Sequence, residues 1–256
     1  MIGPLVGMVH LGPLPGAPRF AGDLDAVLAA AVADACALEA AGFHALLVEN
    51  YGDTPFFPDD VPKATVAALT RAVAEVRRAV ALPVGVNVLR NDARAALAVA
   101  AATGAAFIRV NVLAWSMQTD QGPITGRAAE VLRLRASLGA PVQILADVFV
   151  KHAFPAPGLT LEQAAIGTFE RAGADGLIVT GIATGQPASL DDLCRVKAAV
   201  PGAPLYAGSG VTAESVAAVL RVADGVIAGT SLKRDGVTAA PVDPGRARAF
   251  AAAARG

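Results

Sequence analysis

Near the C-terminal end of the chain, Leu205-Tyr206-Ala207 runs into Gly208-Ser209-Gly210-Val211-Thr212, and Gly225-Val226-Ile227-Ala228 runs into Gly229-Thr230-Ser231. Each is a short apolar strand pattern that ends in a bend of small residues. Such a bend leaves backbone N–H groups bare and lets a bulky anion approach, and a helix starting just beyond would add its positive end. Two of them on adjacent strands would form a phosphate cup walled by Gly208, Ser209, Gly210, Gly229, Thr230 and Ser231. Two ordinary glycine-rich turns would carry the same letters, so the cup is an expectation about geometry.

A second group of residues could move protons. His10, Glu49 and Asp147 each follow an apolar run. Shifting a hydrogen between neighbouring carbons of a sugar phosphate needs one base and one acid, each contributing roughly 10²–10⁴-fold. An imidazole and a carboxyl facing each other would meet that need, and His10 with Asp147 is the expected pair. Glu49 is a further candidate acid or base, and it would equally serve as a structural ion-pair partner of Arg109 or Lys151. Asn87 and Asn111 do not titrate and would orient hydroxyls or a carbonyl. Arg109 alternates with Ile108 and Val110. If its side chain enters the interior it requires Glu49 or Asp147 as partner; otherwise its stem lies outward under the helices. Lys151 could bind substrate, react as a Schiff-base amine, or be a plain loop lysine. Glu49, Asp53 and Asp147 offer a carboxylate set for a divalent cation, although their spacing is not specific for one.

These residues need elements to position them, and the chain supplies a repeat. Four apolar segments open with proline, at Pro4, Pro83, Pro141 and Pro204, which a strand tolerates at its first residue. Four others lie between them: Ala41–Val48, Thr103–Val110, Ala172–Val179 and Val222–Ala228. The first three contain a glycine suited to closing the preceding helix, Gly42, Gly104 and Gly173. Caps at Asp23, Asp92, Thr160 with Gln163, Ser189 with Asp192, and Asp243-Pro244 start the intervening helices. Eight strands alternating with helices imply a parallel sheet closed into a single-domain (β/α)₈ TIM barrel spanning 1–256. Active sites in such barrels sit at the carboxyl ends of the strands, and a phosphate site recurs after the seventh and eighth. Thr180 and Gly181 end the sixth strand, and Gly181 joins the expected anion wall.

Bulk properties narrow the function classes. The chain has 256 residues, is 54% hydrophobic and carries a formal net charge of -1, with no basic stripe for a nucleic acid. Cys36 and Cys194 form no metal or redox motif and are expected as buried thiols in a reducing compartment. No leader pattern opens the chain, which points to a cytoplasmic protein. The alanine-rich stretch from Ala26 to Ala41 contains Asp34 and Glu39 and reads as a core-facing helix rather than a membrane span. Outer helix faces rich in alanine suggest a homo-oligomer surface. Three loops, 50–62 with Phe56-Phe57, 113–125 with Trp115, and 149–159, are long enough to act as lids.

Several blocks together resemble the BtpA family: Gly7-Met8-Val9-His10-Leu11-Gly12-Pro13-Leu14-Pro15-Gly16, Val48-Glu49-Asn50-Tyr51-Gly52-Asp53-Thr54-Pro55-Phe56, Val86-Asn87-Val88-Leu89-Arg90-Asn91-Asp92, Ile108-Arg109-Val110-Asn111, Asp147-Val148-Phe149-Val150-Lys151-His152-Ala153, and Thr180-Gly181-Ile182-Ala183-Thr184-Gly185. The resemblance implies a ribulose-phosphate-binding barrel in a group named after a factor for photosystem I accumulation. It does not imply one reaction. Two functions follow as expectations. One is an enzyme (isomerase, lyase or hydrolase) acting on a phosphorylated sugar or on a phosphoribosyl or nucleoside compound. The other is a non-catalytic assembly factor for a membrane complex, with peripheral membrane association. The polar groups at so many strand ends favour the enzyme.

Overall fold

The computed structural model describes residues 2–181 and 187–256. Eight parallel strands close a barrel: β1 (Leu5–His10), β2 (Ala45–Glu49), β3 (Val84–Asn87), β4 (Phe107–Val110), β7 (Gln143–Asp147), β9 (Gly176–Val179), β10 (Leu205–Ala207) and β11 (Gly225–Ala228), with β11 paired back to β1. Each strand that follows a proline and each that follows a helix-closing glycine takes its expected place. Helices α1 (Leu24–Ala41), α2 (Lys63–Ala79), α3 (Ala93–Thr103), α4 (Ala128–Leu138), α5 (Leu161–Ile166), α6 (Leu190–Ala199), α7 (Val216–Leu220) and α8 (Pro244–Ala253) surround it.

The helix starts are chemically capped as their sequences require. Asp23, Asp92 and Ser189 each accept the backbone N–H three residues on, Thr160 and Gln163 form a reciprocal capping box, and Asp243 accepts from Gly245 and Arg246. Gly42, Gly104 and Gly173 lie at φ 93, 72 and 70, the left-handed conformation that ends a helix without a Cβ penalty.

Strand periodicity assigns the barrel interior. Met8, Leu47, Gly85 and Phe107 are register partners on β1 to β4, and Met8, Leu47 and Phe107 belong to the inner core with Val6, Leu145, Ile178, Tyr206 and Ile227. Gly85 leaves room for the Phe107 ring, since a Cβ there would stand 2.3 Å from Phe107 Cε2. Two residues further along each strand, side chains point to the same side again. His10, Glu49, Asn87 and Arg109 are therefore one row across four adjacent strands, pointing inward above the Phe107 layer. Val9, Val48, Val86 and Ile108, one residue earlier, pack outward in the larger core beneath the helices.

Three expectations need correction. Two of the three lid segments are not free loops: β5 (Ser116–Thr119), β6 (Gly122–Thr125) and β8 (Ala153–Pro155) form a small antiparallel sheet over the rim. Trp115 lies at φ 64, and its indole packs directly on Gly167. The two cysteines are exposed, not buried, because α1 and α6 turn Asp34, Leu38, Leu193 and Val196 toward the barrel and leave Cys36 and Cys194 on other faces. No long helix starts directly beyond either small-residue bend: a single 3₁₀ turn, Thr230–Leu232, follows β11, and the short α7 begins only at Val216. Among the described residues no helix is long and apolar enough to cross a membrane.

Candidate active site

The two bends face one space. Gly208, Ser209, Gly210, Gly229 and Thr230 line a small cavity of about 30 Å³ together with Met8, His10, Glu49, Tyr51, Arg109 and Lys151. Ser231 Oγ donates to the Val211 carbonyl at 2.7 Å, which stitches one bend to the other from behind. Gly181 also stands behind the wall, its N–H donating to Ser209 Oγ at 2.9 Å, while Thr230 Oγ1 is 2.9 Å from Thr238 Oγ1. With these hydroxyls held by protein, backbone amides and the Lys151 ammonium are the groups best placed to meet an anion. Glycine is needed here for space: a Cβ on Gly229 would stand 2.9 Å from His10 Cε1, and one on Gly208 would stand 2.4 Å from Ile178 Cγ2.

A larger cavity of about 580 Å³ shares His10, Glu49, Tyr51 and Lys151 with the cup and extends to Arg19, Thr54, Phe56, Arg90, Asn111, Asp120 and His152. This volume suits a small metabolite.

His10 sits at the junction. Its Nε2 is 3.8 Å from Glu49 Oε1, its ring lies 4.9 Å from that of Tyr51, and its buried Nδ1 has no hydrogen-bond partner among the described residues. Burial, followed by the positive charges of Lys233, Lys151 and Arg109, pushes the imidazole pKa well below its usual value, so the ring is neutral at pH 7 and can accept a proton.

Arg109 points inward, and its partner is Asp147. Arg109 Nε and Nη2 donate to the two carboxylate oxygens at 3.0 Å each, and Asn111 Nδ2 donates to Oδ2 at 3.0 Å. Burial disfavours the guanidinium, but Asp147 and then Glu49 outweigh it and raise its pKa. Asn87 Nδ2 donates to Asn111 Oδ1 at 3.1 Å, which extends the network by one strand and leaves Asn87 Oδ1 buried and unpartnered among the described residues. Asp147 thus has both oxygens committed. The carboxylate beside the imidazole is that of Glu49, so the expected facing pair of His10 and Asp147 is not the one the fold brings together. Among the described residues Glu49 is within ion-pair distance of neither Arg109 nor Lys151, although its charge favours both cations.

Lys151 is half-buried at the junction of both cavities, with no carboxylate within ion-pair distance among the described residues. Burial, and then Arg109, lower its pKa, which favours the neutral amine relative to an ordinary lysine. The carboxylates weighed for a cation do not converge. Asp53 accepts from the Leu14 N–H and from Asn50 Nδ2, Asp147 is held by Arg109, and no cluster of three metal-ligating side chains occurs among the described residues. Burial raises the Asp53 pKa against the lowering effect of those two hydrogen bonds. Residues 182–186 of the block that begins at Thr180 lie outside the described residues.

Tyr51 and Arg90 are among the side chains lining the site that the sequence did not single out, as are Arg19, Thr54 and Asp120. The first two carry a signal. Both directly follow a candidate residue or lie just past a strand end, and a search that stops at the first polar residue after each strand passes them by.

Comparison with known proteins places this geometry in a family. The family model described as "BtpA family" matches residues 1–256. The chain is 47% identical over 247 residues to the "Photosystem I biogenesis protein BtpA" of Synechocystis sp., covering 96% of this chain and 86% of that protein. It is also 47% identical over 245 residues to a protein of Thermococcus kodakarensis, covering 96% and 92%. Among solved structures it resembles N-(5'-phosphoribosyl)anthranilate isomerase from Pyrococcus furiosus, with a TM-score of 0.59 at 15% identity over 98% of both chains. It also resembles tryptophan synthase from M. tuberculosis, with a TM-score of 0.62 at 22% identity over 99% of this chain and 93% of that one. At these identities the structural likeness speaks for the fold alone, whereas the sequence matches run through every strand that supplies the site: the chain belongs to the BtpA family.

Proposed function

We propose that the protein is an enzyme acting on a phosphorylated sugar or a phosphoribosyl or nucleoside compound by general acid–base chemistry at the carboxyl ends of the barrel strands. One observation carries this reading: the two small-residue bends and the pair His10 and Glu49 line the same cavity, and Lys151 lines it too. A phosphate on the bends would point the rest of the substrate past His10 into the larger space. His10, neutral and with an unpartnered ring nitrogen, accepts a proton from one carbon and hands it back to its neighbour, with the Glu49 carboxyl group beside it to assist the transfer. Asp147 holds Arg109 and Asn111 in place and supplies negative charge beneath the site. Asn87, Arg109, Asn111 and Lys151 contact or orient the substrate. The same reading takes the protein as a cytoplasmic homo-oligomer that associates through its alanine-rich outer helices.

Its test is a screen of phosphorylated sugars and nucleotides for ligand-induced thermal shift and for turnover. His10→Ala and Glu49→Gln are expected to abolish turnover while keeping the shift. Loss of both, or of neither, contradicts the assigned roles.

A second reading rests on the relative in Synechocystis sp., whose name assigns it to photosystem I biogenesis. Under it the barrel is an assembly factor that docks on a membrane complex. Membrane co-sedimentation that persists in His10→Ala, without turnover of any phosphorylated compound, is the outcome that favours it.

A further inference from the structure

Arg90 is 4% exposed and lines the larger cavity. Its position is built rather than incidental. The Asn50 side chain clamps the preceding residue from both sides, Oδ1 accepting the Leu89 N–H at 2.7 Å and Nδ2 donating to the Leu89 carbonyl at 3.4 Å. The Arg90 N–H donates to the Phe57 carbonyl at 3.0 Å, and its Nη2 donates to the Lys151 carbonyl at 2.5 Å. Yet among the described residues the guanidinium has no carboxylate partner within ion-pair distance. Arg109, its neighbour in the barrel, has a bidentate one.

Asp147, Glu49 and Asp120 act on the Arg90 guanidinium only from a distance, and burial outweighs them, so a directly paired anion from outside would relieve a real cost. The surroundings leave that anion to the ligand. Asp147 is engaged by Arg109, Glu49 lies beside His10, and Asp120 lines the cavity without pairing to Arg90. The cup does not supply it either, since Arg90 is absent from the lining of the small cavity while Lys151 borders both. An anion on the bends and an anion at Arg90 are therefore two separate stations.

We infer that the site takes a substrate with two anionic groups: a phosphate in the cup formed by the bends and, at the other end of the molecule, a second phosphate or a carboxylate held by Arg90. This rests on the phosphate cup proposed above and specifies the substrate class for it. An arginine fork matches either oxyanion through paired N–H donors.

The test uses three open-chain six-carbon ligands that differ only at the far end: sorbitol 6-phosphate, 6-phosphogluconate and sorbitol 1,6-bisphosphate. Each is titrated calorimetrically into the whole protein at fixed ionic strength, beside inorganic phosphate. At least one doubly anionic ligand is expected to bind about tenfold or more tightly than sorbitol 6-phosphate, and which one does so separates a carboxylate from a phosphate at Arg90. In Arg90→Met that affinity ratio falls to about one, and in Arg90→Lys part of it survives. Should Arg90→Met fail to fold, the ratio in the wild type and its reduction in Arg90→Lys carry the test. Equal affinities of all three ligands in the wild type, with inorganic phosphate still binding, overturn this inference and leave the cup standing. Absence of binding by every ligand, inorganic phosphate included, overturns both.

Discussion

Removing the Asp147 carboxylate separates a structural role from a catalytic one. The Asp147 side chain is fully buried, that of Arg109 is 1% exposed, and three hydrogen bonds of 3.0 Å converge on the carboxylate. Asp147→Ala would strand a buried guanidinium and an amide donor without partners. Breaking a buried pair from one side costs about 3–5 kcal/mol. For a chain of this size each kcal/mol moves the melting temperature by roughly 2 °C, so a fall of about 6–10 °C is expected in calorimetry. Replacing both partners, Asp147→Leu with Arg109→Met, removes the stranded charge and is expected to recover most of that fall. Asp147→Asn should lie between, because it keeps the shape and loses the charge. If Asp147→Ala melts with the wild type, the pair is not what holds Arg109. Asp147 would then be free for the proton transfer that its position at the end of its strand suggests.

Three further outcomes follow from the site and its surroundings. Because burial and nearby cations lower the His10 pKa, the unfolded chain binds a proton at this residue before the folded one does; the stability contribution is intact above about pH 6.5, the unfolded value, and is lost as pH falls toward the folded one. Melting profiles of wild type and His10→Gln should therefore diverge below about pH 6.5, with the wild type losing more; parallel profiles would contradict the burial argument. Gly229→Ala is expected to weaken phosphate binding about tenfold or more by pushing the imidazole off the cup, read by calorimetric titration, and unchanged affinity would show that His10 and the bend do not share the site. Lys233 Nζ is 2.5 Å from Asp34 Oδ2 while Asp34 Oδ1 accepts the Val242 N–H, which ties the segment after β11 to α1. Lys233→Met should cost about 3–5 kcal/mol in urea unfolding, and a cost below about 1 kcal/mol would contradict the role of this tie.

The barrel was legible because its signals are local. A proline at a strand start, a glycine at φ above zero and a side chain capping an N–H three residues away each act within one turn of chain, and all were found where the letters put them. Strand alternation set Arg109 opposite Ile108 and Val110, and a buried cation's need for a carboxylate named Glu49 or Asp147 as its partner if it turned inward; the sequence left the inward and outward aims both open. Which carboxylate Arg109 finds depends on the stagger between β4 and β7, and that is a property of the closed barrel. The cysteines were misread for a related reason. In α1, alanine on all sides gives no apolar face, so the sequence carries no signal for which way Cys36 turns. The antiparallel sheet escaped notice because Ser116-Met117-Gln118-Thr119 lacks an apolar alternation and its partner β8 lies more than thirty residues away. Arg90 was hidden by distance as well: its lack of a directly paired carboxylate among the described residues is visible only once every carboxylate around the rim has been given an address.

The central claim is that the bends after β10 and β11 hold a phosphate beside His10 and Glu49. Its most direct test is the melting temperature with and without ribose 5-phosphate, in the wild type and in Thr230→Asp, which adds a negative charge to the cup. At about 100 times its dissociation constant the ligand should add roughly 2.7 kcal/mol, an upward shift of about 5 °C in the wild type that disappears in the variant. No shift at millimolar ligand in the wild type, or an equal shift in both proteins, would contradict the account.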